Sequence, residues 1–243
     1  MLAVAGGALW LGGWFWAALC ALVALGVLWE WRGLVRGFAA PGLPQTFWIL
    51  GGLGYVGCAV FALLSVHGQF EGTGVALMIV GAVIGTDIGA YFAGRAIGGP
   101  KIAPAISPSK TWAGLFGGVL GAAAILAIFP IAWEGGLCRV FYPRPILPPG
   151  VFQFDGPCSG IVSLGPPDSM LIWAVITGSI IAVVAQAGDF LESWMKRRAG
   201  VNASGKLIPG HGGLFDRVDG LLAVCFVIGL LTAMTSGYSM ISA

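Results

Sequence analysis

Charge is what this sequence has least of. Its 243 residues carry 12 basic and 10 acidic side chains, 9% charged in all against 58% hydrophobic. Soluble domains are about 25% charged, so this chain cannot cover a water-facing surface. The shortage excludes a soluble enzyme, a disordered chain and a nucleic-acid binder with a basic face. No CxxC or Cys/His spacing indicates a zinc site. The N-terminus lacks a basic n-region and a small-residue cleavage site of the usual kind, so its first apolar run reads as a retained helix. Glycine is plentiful at 41 residues but has no Gly-X-Y period, and glycine is common in packed membrane helices. With a mean hydropathy of +0.92, the chain reads as an integral membrane protein.

A helix needs roughly 20 apolar residues to cross a ~30 Å hydrocarbon layer. Suitable runs lie near 3–28, 46–66, 74–95, 113–133, 170–188 and 219–240, and Gly12 and Gly13 interrupt the first. The expected fold is all-α, a polytopic bundle of six to eight membrane helices. These continuous runs argue against a β-barrel, whose strands alternate in hydrophobicity. The expected organisation is one integral membrane domain over 1–243: N-terminal helices in 1–70, catalytic helices in 74–243, and a non-cytoplasmic loop at 134–168. With six alternating crossings and 29–45 in the cytoplasm, Arg32, Arg36, Arg95, Lys101, Lys110, Lys196, Arg197, Arg198, Lys206 and Arg217 lie inside. Only Arg139 and Arg144 lie outside, as the positive-inside rule expects. Cys20, Cys58 and Cys225 fall in apolar spans and read as packing residues. Cys138 and Cys158 share the outside loop and would be free to pair in an oxidising compartment.

The polar residues are concentrated. Asp87 lies in the body of the third apolar run, where an ionisable group costs at least ~2.5 kcal/mol unless it faces a cavity or a partner. In 186–220 the spacing of Asp189, Glu192, Ser193 and Lys196 puts all four on one helical face. That helix is expected to stop near Gly200, after a basic cluster favoured by the helix dipole. A turn around His211 follows, and a new helix begins with Asp216, Arg217 and Asp219. Carboxylates converging from two helix ends make a hard-oxygen site suited to Mg²⁺, and nearby Lys and Arg suit phosphate oxygens. Gly212 and Gly213 would let backbone N–H groups approach a phosphate closely. This is equipment for moving a phosphoryl or nucleotidyl group. Ser107-Pro108 starts a turn, and Ser109, Lys110 and Thr111 supply further donors near the start of the fourth helix, although capping residues look the same.

The run Ser193-Trp-Met-Lys196-Arg197, followed by Pro209-Gly-His211-Gly212-Gly213-Leu-Phe-Asp216-Arg217-Val-Asp219, resembles the signature of the phosphatidate cytidylyltransferases, or CDP-diacylglycerol synthases. Asp87-Ile-Gly-Ala-Tyr91-Phe-Ala-Gly94-Arg95 and Ser107-Pro108-Ser-Lys110-Thr111 are similar to two further pieces of that family. The resemblance implies a polytopic enzyme that joins CTP and phosphatidic acid, giving CDP-diacylglycerol and pyrophosphate for phospholipid biosynthesis. It implies Mg²⁺, with K⁺ as a second cation, and a metal site of Asp189, Asp216 and Asp219. Asp189, Lys196, Asp216 and Asp219 are then the expected catalytic set. Asp87, Ser107, Lys110, Thr111, Ser193, Arg197, His211, Gly212, Gly213 and Arg217 are expected around nucleotide or lipid phosphate. Two departures stand out: Asn202-Ala203 where the family has Lys-Asp, and Ala113 where many relatives carry Glu. The resemblance implies activity, weakened if the missing carboxylate serves metal or nucleotide.

The implied reaction is in-line attack by a phosphatidate oxygen on the α-phosphorus of CTP, with His211 as a positioning donor and the lipid entering laterally. No general base is required, because the phosphate nucleophile is already anionic near neutral pH (second pKa ~6). The expected setting is a bacterial inner membrane with the site facing the cytoplasm, and small residues on the helices permit a homodimer. Three readings compete. A CTP-dependent lipid kinase would release CDP; a secondary transporter would need no CTP, and no inverted repeat is visible; a degenerate paralogue is motivated only by Asn202-Ala203 and Ala113.

Overall fold

A computed structural model describes residues 2–38, 44–67, 72–133, 170–207 and 212–241. In chain order the elements are α1 (Leu2–Leu11), α2 (Gly13–Arg36), α3 (Gln45–His67), α4 (Gly72–Ala96), β1 (Lys101–Ala103), β2 (Ser107–Thr111), α5 (Trp112–Ala132), α6 (Met170–Ala199) and α7 (Phe215–Ile241). Six of them, α2 to α7, are long and apolar enough to cross a membrane. The fold is therefore the expected all-α membrane bundle. Its outer surface carries Trp14 at 90% exposure, Trp29 at 71% and Leu120 at 69%, a surface suited to lipid and not to water.

The first apolar run is two helices. Gly12 at φ 62° and Gly13 at φ 48° take the left-handed backbone that ends α1 and starts α2. The apolar count stops near residue 28, but α2 continues to Arg36, because Glu30, Arg32 and Arg36 interrupt hydrophobicity without interrupting helix.

Glycine sets how closely the helices approach. In α4 and α5 the pairs Gly85/Gly89 and Gly117/Gly121 sit four residues apart, one turn each, and face each other in an antiparallel hairpin. A Cβ on Gly85 would lie 2.8 Å from the Gly121 carbonyl oxygen, and one on Gly89 would strike the Gly117 carbonyl. Backbone-to-backbone packing of this kind is how membrane helices associate without a hydrophobic driving force. Gly188 of α6 is pressed in the same way against the Asp219 carbonyl of α7, 2.5 Å from where its Cβ would stand. On the other flank Trp31 of α2 donates its indole N–H to the Trp48 carbonyl at 2.9 Å and packs on the Phe215 ring, centroids 5.6 Å apart. The core of Val27, Val35, Val56, Leu126, Met195 and Phe215 joins α2, α3, α5, α6 and α7.

Between α4 and α5 the chain forms a two-stranded antiparallel hairpin instead of a simple turn, pairing Lys101 with Thr111 and Ala103 with Ser107. Ala103 and Ser107 each precede a proline, Pro104 and Pro108, and a residue before proline is pushed toward extended backbone. The two biased positions are register partners, so the prolines favour the hairpin that the turn residues close.

Three polar connections meet at one end of the bundle. Gly37 after α2 packs on Ala199 at the end of α6. Arg197 donates to the Ile106 carbonyl of the hairpin connection at 3.4 Å. Glu30 of α2 accepts from the start of α7. The outside loop, with Cys138, Cys158, Arg139 and Arg144, lies outside the described residues.

Candidate active site

The site is assembled from one helix face, one helix start and one strand end. Along α6 the face carries Asp189, Glu192, Ser193 and Lys196, the i, i+3, i+4 and i+7 positions of consecutive turns. Lys196 sits between two carboxylates, 2.5 Å from Glu192 and 2.6 Å from Asp216. Glu192 is only 2% exposed, and its Oε1 has no hydrogen-bond partner. Asp189, two turns nearer the bundle centre than Lys196, is ion-paired with Lys110 at the end of β2. The next residue, Thr111, caps α5, its hydroxyl accepting from the Gly114 N–H at 3.0 Å. That cap fixes where α5 begins, and so where Lys110 stands.

α7 contributes two carboxylates with different surroundings. Asp216 accepts from Lys196 through Oδ1, and from the Ser204 N–H (3.1 Å), the Ser204 hydroxyl (3.0 Å) and the Gly213 N–H (3.0 Å) through Oδ2. Asp219 lies one turn deeper, within Coulombic reach of Asp189 and Glu192, and accepts from the Gly220 N–H at 2.9 Å. Asp189 Oδ1 is 3.5 Å from where a Cβ on Gly220 would stand. The glycines at 188 and 220 thus draw α6 and α7 together at the level of Asp189 and Asp219.

The remaining sequence-derived residues divide. Asp87 of α4 is exposed and within Coulombic reach of Asp189 and Lys110. Ser193 is half-buried on the α6 face, while Arg197 and Arg217 are exposed at the polar end. Ser107 is buried at 7% exposure, its hydroxyl 3.5 Å from that of Ser109. Gly212 has φ +85°. Gly213 turns its N–H to Asp216, and a Cβ there would collide with the Ser204 hydroxyl and meet Glu30. His211 lies outside the described residues.

Two residues that the motif reading passed over stand at the centre of the contacts. Glu30 is 3% exposed and accepts from Leu214 N–H (2.9 Å), Phe215 N–H (2.8 Å) and the Ser204 hydroxyl (2.9 Å). Ser204, also buried, touches both Glu30 and Asp216. The available signal was a lone acid between Trp29 and Trp31, carrying the same burial penalty that singles out Asp87.

A model of the cytidylyltransferase family matches residues 41–235. The chain belongs to this family. It is 33% identical over 242 residues to a phosphatidate cytidylyltransferase of Brucella abortus biovar 1 (strain 9-941), covering 95% of this chain and 76% of the relative. It is 34% identical over 162 residues to a phosphatidate cytidylyltransferase of Haemophilus influenzae, covering 65% of this chain and 45% of that one. It is 27% identical over 226 residues to one from Rickettsia bellii, with 93% and 83% covered. The cytidylyltransferase match takes in α3 to α6 and most of α7. It begins after α2, so Glu30 lies beyond it.

For the metal that membership implies, the donors are of the right kind. Asp189 and Glu192 each present hard carboxylate oxygens within Coulombic reach of Asp219, one of them orphaned on Glu192. Such a cluster is stabilised by a cation. Among the described residues no three carboxylate, imidazole or thiol groups already stand close enough to enclose an ion. Asp216 differs from the others in having both oxygens occupied by protein donors.

Proposed function

We infer that this protein is a phosphatidate cytidylyltransferase, transferring the cytidylyl group of CTP to phosphatidic acid in a multi-pass membrane setting. The observation that carries the site assignment is the junction of β2, α6 and α7, where Asp189, Glu192, Asp216 and Asp219 meet Lys110 and Lys196. Four carboxyl groups meet two lysines there, and both substrates are phosphate anions, so cations are needed to bring the substrates together. Asp189 and Asp219 would hold Mg²⁺, with K⁺ as a second cation and Asp216 joining on release of a present partner. When bound, the metal supplies charge neutralisation on the reacting phosphates.

The chain's own residues then orient and hold. An oxygen of the phosphatidate phosphate forms a bond to the α-phosphorus of CTP, and the bond from that phosphorus to the bridging oxygen breaks, releasing pyrophosphate. The nucleophile is already ionised near neutral pH (second pKa ~6), so no side chain has to accept a proton. Lys196, held between Glu192 and Asp216, would meet charge on the leaving pyrophosphate. Lys110, at the tip of β2, would exchange Asp189 for a phosphate oxygen, with Thr111, Arg197, Arg217, Ser193 and His211 completing the phosphate contacts. The lipid would present its headgroup from the bilayer with its acyl chains left in the membrane. The polar end would face the cytoplasm of a bacterial inner membrane, where CTP is. A homodimer would need a face other than the α4–α5 glycine pairs, which are used within the chain.

The test is pyrophosphate release in detergent micelles with CTP, phosphatidate and Mg²⁺ each withheld in turn, beside Asp219→Asn. Release that needs all three, and falls by about 100-fold or more in the variant, supports the assignment. Release that is indifferent to Mg²⁺ or to Asp219 overturns the metal and residue assignment.

A further inference from the structure

Ser204 and Leu214 lie between α6 and α7, just before the Asp216 that meets Lys196. What holds them is a carboxylate from a helix that the family match does not reach. A helix begins with N–H groups that have no intrahelical partner. At the start of α7 the donors at Leu214, just before the helix, and Phe215, its first residue, point at the two oxygens of Glu30, Oε1 and Oε2 respectively. This is the geometry of a helix cap, supplied from α2 and not from the local chain. The Ser204 hydroxyl bridges Glu30 Oε2 at 2.9 Å and Asp216 Oδ2 at 3.0 Å. It has one proton and two carboxylates to serve, so it links their positions. The neighbouring glycines fit the same account: a Cβ on Gly205 would collide with Glu30, and one on Gly213 with Ser204.

We propose that Glu30 is a positioning residue for cytidylyl transfer, fixing the start of α7 and, through Ser204, the Asp216 carboxylate that orients Lys196. The proposal rests on the phosphatidate cytidylyltransferase reading for its kinetic consequence, but not for its structural one. The contact chain runs from Glu30 to Ser204, Leu214 and Phe215, then to Asp216, and from there to Lys196. Trp31, the next residue of α2, packs on Phe215, and Leu214 closes over Gly26. α2 therefore grips the start of α7 with apolar contacts on both sides of the carboxylate. Those apolar contacts survive loss of the charge, so Glu30→Gln leaves the bundle assembled and frees only the polar alignment. A glutamine has one acceptor oxygen and turns an NH₂ toward a donor, so it cannot satisfy both N–H groups.

The experiment compares wild type, Glu30→Gln, Glu30→Asp and Ser204→Ala as full-length protein in micelles. It reads pyrophosphate release from CTP and phosphatidate, and amide hydrogen exchange by residue. In Glu30→Gln, kcat falls about 10- to 100-fold, the size expected for lost hydrogen bonds to a charged group, while the KM for CTP moves less than about threefold. Exchange at Leu214 and Phe215 rises about tenfold or more, and exchange at Gly117 and Gly121 in α5 stays as in wild type. Glu30→Asp, which keeps the charge, recovers part of the rate. A Glu30→Gln enzyme within twofold of wild-type kcat, or exchange that rises evenly over the bundle, overturns the proposal. If Glu30→Gln does not fold, Ser204→Ala decides: a fall in kcat of about 3- to 10-fold supports the linkage, and no fall overturns it. If wild type releases no pyrophosphate, the cytidylyltransferase reading fails, and the exchange measurement alone decides whether Glu30 anchors α7.

Discussion

The carboxylates of the site are best understood by what each one holds. Asp189 holds Lys110, Asp216 holds Lys196 and the backbone N–H groups of Ser204 and Gly213, and Glu30 holds the start of α7. These pairs predict separable effects. Lys110→Ala should raise the KM for CTP or phosphatidate about tenfold with less effect on kcat, because it removes a phosphate partner and not the metal ligands. Asn202 and Ala203 are exposed beside Ser204, so restoring the family's pair as Asn202→Lys with Ala203→Asp should be tolerated by the fold. Turnover should rise several-fold, read as pyrophosphate release, and a fall in melting temperature without a rise in rate would contradict this. Asp189, Lys196, Asp216 and Asp219 were legible because helix spacing alone puts them on shared faces. Glu30 was not, because nothing local to residue 30 names a partner such as Ser204, 174 positions away in the chain.

Between whole elements, the closest contact is the α4–α5 hairpin, where glycine faces glycine at two successive turns. A side chain at Gly89 would meet the Gly117 carbonyl, and backbone cannot move aside as a flexible side chain can. Gly89→Val should therefore destabilise the bundle by about 1–3 kcal/mol, read as a lower melting temperature in detergent. Gly57, with nothing within 4 Å of its Cβ position, should accept alanine with little change. The six spans were legible because apolar length is set by bilayer thickness. The break at Gly12 was legible as an interrupted run. The β1–β2 hairpin was not, because Ser-Pro and Lys-Thr at these positions serve a turn, a strand or a helix cap equally well until the register of Ala103 with Ser107 is known.

At the scale of the whole molecule, polarity is segregated among the described residues. The ends of α2, α4 and α6, the β1–β2 hairpin and the start of α7 carry charges to one pole, and the exposed sides of the helices are apolar. Thiols introduced as Ser109→Cys and Lys206→Cys should be labelled from the same face of a sealed vesicle, and Gly150→Cys from the other. Equal labelling of all three from one face would contradict the topology. That the charged stretches share a pole was legible from the count of Lys and Arg in the loops; which residues touch there was not, since the contacts join segments far apart in sequence. The most direct test of the central claim follows the phosphorus. Protein in micelles with phosphatidate and Mg²⁺ is given CTP labelled at the α- or at the γ-phosphate, and the lipid fraction is counted. Cytidylyl transfer predicts label in lipid from α-labelled CTP alone, with γ-label leaving as pyrophosphate. Label entering lipid from the γ-position would make this a CTP-dependent kinase and contradict the account.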